Sequence, residues 1–130
     1  MSIVIKACLF GALICSHSVM AFDWCGPLFV SPGTTQTNYM IVNGKLRSYG
    51  LYVPLKSHLD SPLLLNFHGF GANSLAESLG SCWRRTANRE GMIVAYPQGM
   101  SLVPAWGAGD YCCFGGSDND TEFALQLASC

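Results

Sequence analysis

Between Thr37 and Pro54 the chain reads TNYMIVNGKLRSYGLYVP, two apolar, β-prone runs separated by Asn43-Gly44. Asn-Gly supplies the two positive-φ residues of a tight turn, so this pattern predicts an antiparallel hairpin over residues 38–54, ended by Pro54. After the polar loop LKSHLDSP, in which His58 reads as a solvated side chain, LLLNF (Leu63–Phe67) shows no alternation. An apolar run of that kind predicts a strand covered on both faces, as in a parallel sheet held between helices.

From Ser74 to Glu90 the period changes: Leu75, Leu79, Trp83 and Ala87 recur every fourth residue, with Glu77, Arg84, Arg85 and Arg89 elsewhere. The spacing predicts one helix, opened by a Ser74/Glu77 capping box and stopped at Gly91. MIVAYP follows as a second apolar strand closed by Pro97, completing a βαβ unit with a right-handed crossover.

Past residue 98 the pattern dissolves into a glycine-rich loop that holds Trp106 and the pair Cys112-Cys113. A loop of that length inside a compact domain is functional or tied down. From Ser117, SDNDTEFALQLASC places Ser117 and Asp120 at capping spacing, with Phe123, Leu125 and Leu127 beyond, and predicts a second helix. Asn119-Asp120-Thr121 within it is an N-glycosylation sequon.

The first 21 residues carry one early lysine, an apolar stretch, and the small residues Val19 and Ala21 where a signal peptidase reads. They read as a secretory signal cleaved after Ala21, leaving residues 22–130 as the domain and no membrane-spanning segment. Charged residues make up 12% of the chain and the net charge is −1, with no basic cluster beyond Arg84-Arg85, which argues against nucleic acid as a partner.

Secretion changes the reading of the cysteines. Seven are present, and loss of Cys8 and Cys15 with the signal leaves Cys25, Cys82, Cys112, Cys113 and Cys130 as disulfide candidates. Five is odd, so at least one lacks an intrachain partner, and the sequence leaves the connectivity open. No Cys-x-x-Cys occurs and only His58 and His68 remain, so no metal site is expected.

LLLNFHGFGANSLAESLGSCWRRTANREGMIVAYPQG, followed by WGAGDYCCFGGSDNDTEF, resembles the N-terminal half of secreted serine esterases of the polyhydroxybutyrate depolymerase and feruloyl esterase type, an α/β-hydrolase family. The resemblance covers roughly residues 45–125; Gly107 stands where relatives commonly carry asparagine. It implies an α/β fold, the hairpin and βαβ unit forming the N-terminal part of an α/β-hydrolase domain, with no cofactor. The implied substrate is an ester-bearing polymer or saccharide.

By the same resemblance, the His-Gly turn after the strand contributes to an oxyanion hole. Its donors would be the backbone N–H groups of Gly69 and Phe70, with His68 and Gly71 supporting the turn and Trp106 lining a substrate pocket. The catalytic triad itself is absent from the 130 residues. GGSDN (Gly115–Asn119) lacks the final glycine of the G-x-S-x-G elbow, its Ser117 reads as a helix cap, and no histidine follows His68.

These residues are therefore expected to be inactive alone, as a domain truncated before the nucleophile strand that in this fold pairs beside LLLNF. The alternative is a non-catalytic, disulfide-stabilised secreted module that binds its polymer through the Trp106 loop.

Overall fold

The computed structural model describes residues 30–107 and 119–129. The hairpin forms as β1 (Thr35–Val42) and β2 (Lys45–Tyr52), paired antiparallel from Thr35↔Tyr52 to Val42↔Lys45. Asn43 at φ 48° and Gly44 at φ 74° make its two-residue turn, the conformation that Asn-Gly adopts at low cost. Along β1, Asn38, Met40 and Val42 point inward and Tyr39 and Ile41 outward, the alternation of a half-buried strand.

The βαβ unit is present, with β3 (Leu63–Leu65) parallel to β4 (Ile93–Pro97). The sheet order is β1-β2-β4-β3, with β2 antiparallel to both neighbours. β3 thus ends the sheet among the described residues, and this end position explains why it is shorter and wetter than a strand covered on both faces: Leu63 is 37% exposed.

The single helix expected over 74–90 is instead two, α1 (Ser74–Gly80) and α2 (Trp83–Glu90). The break falls at Gly80-Ser81-Cys82, where Cys82 is left-handed at φ 61°, a conformation no α-helix continues through. Glycine and serine are weak helix formers at that point, and the four-residue spacing ran across them unbroken. The stripe it drew is buried only at Ala87: Leu75 and Leu79 are 64% and 61% exposed, and on α1 it is Ser78, off the stripe, that turns inward.

The opening of α1 also differs from the expected capping box. Asn73 is the N-cap, its Oδ1 accepting from the Ala76 amide at 2.8 Å. Ser74 and Glu77 are engaged elsewhere: the Ser74 N–H donates to Gln98 Oε1 at 2.9 Å, and Glu77 Oε1 accepts from Asn66 Nδ2 at 2.9 Å. At the other end Gly91, left-handed at φ 72°, stops α2 as its position predicted.

The sheet has helices on both faces. On one side Met40, Val42, Tyr49, Ala95, Phe123 and Leu127 form a core beneath α3 (Asp120–Ser129). On the other, Tyr52, Val94 and Tyr96 pack with Ala87 of α2. β4 feeds both cores by alternation, Val94 and Tyr96 to one and Ala95 to the other, which is why its apolar run showed no period of two.

The signal segment and the cysteines at 25, 112, 113 and 130 lie outside the described residues, as does Ser117. Cys82 is exposed and carries a free thiol.

Candidate functional site

The chain leaves β3 through Asn66 and turns at His68-Gly69-Phe70-Gly71 before α1. Three anchors fix this turn. The Gly71 N–H donates to the Pro104 carbonyl at 2.8 Å, with Gly71 at φ 73°, and the Ala72 N–H donates back to Gly69 O at 3.1 Å. The Trp106 indole N–H donates to the His68 carbonyl at 2.8 Å. Its ring stands 4.9 Å from those of both Phe67 and His68, edge-on to Phe67.

His68 is buried, and both its ring nitrogens bind backbone. Nδ1 lies 2.8 Å from the Gly69 carbonyl, which can only accept; Nε2 accepts the Gly99 N–H at 3.0 Å. These partners assign the neutral imidazole with its proton on Nδ1. A ring with both nitrogens so occupied holds the turn and has no free nitrogen to take a proton from a nucleophile.

The amides of Gly69 and Phe70 differ from those that follow them at Gly71 and Ala72. Neither N–H finds a partner among the described residues, and both residues are exposed. The turn thus spends the Gly71 and Ala72 N–H groups on its own geometry and presents two unspent donors to solvent. Such a pair can receive an anionic oxygen without bringing a net charge to the site.

Trp106 is held from behind by a network that the sequence did not single out. Arg47 on β2 is 1% exposed and lies with its guanidinium 4.1 Å from the Phe123 ring centroid. It donates to Asn119 Oδ1 at 2.6 Å, Asp120 Oδ1 at 2.7 Å and the Gln98 carbonyl at 3.3 Å. The other Asp120 oxygen accepts the Gly107 N–H at 2.7 Å, next to Trp106. One signal for Arg47 existed: it shares the inward face of β2 with Tyr49, and a charge at an inward position needs buried partners.

A cleft of about 410 Å³ opens beside the turn, lined by Phe67, Trp106, Gly107, Asp120, Thr121 and Ala124. Trp106 therefore serves both as a wall of this cleft and as a brace of the turn. The sequon asparagine, Asn119, lies behind it and is 6% exposed; besides accepting from Arg47 it donates Nδ2 to the Val42 carbonyl at 3.2 Å. His58 is exposed, in the loop before β3.

Over 72 residues, 55% of its length, the chain is 31% identical to a bifunctional acetylxylan esterase/xylanase of Neocallimastix patriciarum. The matched stretch is 11% of that protein, so the chain spans a small part of it. No family model matches the chain.

Proposed function

We propose that the chain supplies the oxyanion-binding part of a secreted carboxylic-ester hydrolase acting on an acylated polymer or saccharide. The observation that carries this reading is the pair of unspent N–H donors at Gly69 and Phe70, on a turn whose following N–H groups, His68 and Gly69 carbonyls and His68 ring nitrogens are engaged. When a nucleophile attacks an ester carbonyl, negative charge collects on its oxygen, and preorganised donors stabilise that charge more than they stabilise the ground state.

Two further features agree. The sheet ends at β3 among the described residues, the side on which the α/β-hydrolase arrangement places the nucleophile strand. The similarity to an acetylxylan esterase/xylanase points to ester chemistry on a saccharide. Within that class, polyhydroxyalkanoate and feruloyl esters are the other substrates that the sequence resemblance implies. The apolar walls of the cleft at Phe67 and Trp106 suit an acyl chain or an aromatic acid equally well.

In this reading the nucleophile, its acid and its base come from sequence other than these residues, and the 130-residue chain alone turns over no ester. Sequencing the transcript downstream of the Cys130 codon tests this. A further strand, a G-x-S-x-G elbow, and a later Asp and His are expected; a stop codon directly after Cys130 contradicts it.

A further inference from the structure

His68 is a buried titratable group that ester chemistry leaves unused, and its surroundings make its protonation state matter. We propose that His68 is a proton-operated latch: taking up a second proton on acidification breaks its bond to Gly99 and releases the turn from the Gln98-Gly99 segment.

The geometry permits one neutral arrangement. Nδ1–H donates to the Gly69 carbonyl at 2.8 Å and Nε2 accepts the Gly99 N–H at 3.0 Å. A proton on Nε2 would set two donors against each other in a site where His68 is 2% exposed, so one of them must leave. Gly99 has little room to retreat, because its Cα already lies so close to Ala105 that an added Cβ would meet the Ala105 carbonyl oxygen at 2.5 Å.

Gln98 offers the imidazolium its alternative partner. Its Nε2 lies 3.5 Å from His68 Nε2 while its Oε1 accepts the Ser74 N–H that opens α1. Rotating the amide would give Oε1 to the imidazolium, at the expense of the bond to Ser74 and of the bond that Nε2 donates to the Gly99 carbonyl at 3.2 Å. Protonation at His68 is thereby coupled to the first turn of α1.

The charged groups on the elements around the ring are Glu77 on α1, Arg47 on β2 and Asp120 at the start of α3. Each is turned to another partner: Asn66, the Gln98 carbonyl with Asn119 and Asp120, and the Gly107 amide with Arg47. None hydrogen-bonds the imidazole, so no carboxylate stands ready to stabilise the imidazolium in place. The latch is a property of the turn and holds whatever the turn binds.

The test is an NMR titration of the ¹⁵N-labelled 130-residue chain from about pH 8 to about pH 4.5, the range that spans imidazole ionisation. The ring nitrogens of His68 and His58, the amides of Gly99 and Ser74, and the Trp106 indole N–H are followed together. Expected are Gly99 and Ser74 shifts that track the His68 ring and not the exposed His58, and loss of those shifts in His68→Gln. Should that variant not fold, the wild-type correlation decides alone. The proposal is overturned if Gly99 and Ser74 stay fixed while His68 takes up its proton. It is also overturned if the ring stays neutral until the whole chain unfolds, or if the amides are coil-like already at neutral pH.

Discussion

Arg47 and Asp120, 73 residues apart in sequence, meet inside the protein as an ion pair at 2.7 Å with the guanidinium side chain fully buried. The pair joins β2 to the start of α3 and, through Asp120 and Gly107, braces the loop that carries Trp106. A buried pair broken from one side leaves an uncompensated charge, which costs far more than the pair itself contributes. Arg47→Ala is expected to lower stability by about 3–5 kcal/mol, and Arg47→Met with Asp120→Asn to recover part of that loss. Urea denaturation measures both; an unchanged midpoint for Arg47→Ala would remove the brace from the account.

Gly99 and Gly69 should respond oppositely to the same substitution. A Cβ at Gly99 meets Ala105 backbone atoms at 2.5, 3.0 and 3.2 Å, whereas one at Gly69 meets nothing within 4 Å. Gly99→Ala is expected to cost about 1–3 kcal/mol and Gly69→Ala less than about 0.5 kcal/mol. Thermal unfolding of the two variants side by side checks the contrast, and equal shifts would contradict the close approach at Gly99.

The opening of α1 gives a second paired test. Asn73 accepts from the Ala76 amide, while the side chain of Ser74 caps nothing. Asn73→Ala should therefore destabilise by about 1 kcal/mol and Ser74→Ala by much less. The reverse order, read from chemical denaturation, would restore the capping box that the sequence pattern implies.

At high pH the buried tyrosines set the limit. Burial pushes the phenols of Tyr49 and Tyr96 above their ordinary value of 10.0, a rise that Ser81 and Arg84 partly oppose at Tyr96. In the unfolded chain they lose their protons first, so stability is full below about pH 10 and falls as pH rises through the raised folded-state values. Tyr49→Phe with Tyr96→Phe should flatten this alkaline limb. A limb of unchanged slope in the double variant would assign it to other groups.

Most of the sheet was legible because its signals are local. Asn43-Gly44 fixed the hairpin and Gly91 stopped α2, each through a backbone conformation that few residues accept. The helix break was less so: Leu75, Leu79, Trp83 and Ala87 kept their period across it, while the left-handed turn at Cys82 is a non-glycine exception that no spacing announces. Capping failed for a similar reason. Ser74 and Glu77 match the motif, but tertiary partners on Gln98 and Asn66 took both, leaving the cap to Asn73. In the candidate site, the resemblance points to His68, Gly69 and Trp106, whereas Arg47 and Gln98 act through contacts at long sequence separation.

Whether the Gly69-Phe70 turn binds an oxyanion is read from the rate of acyl-ester hydrolysis by the complete gene product, wild type against Phe70→Pro. Proline deletes one of the two unspent N–H donors. Turnover of at least one acetyl, feruloyl or hydroxyalkanoate ester is expected of the wild type, and a fall in kcat of about 10²–10³ with little change in KM of the variant. No hydrolysis by the complete product, or a folded variant with unchanged kcat, would contradict oxyanion binding at the turn.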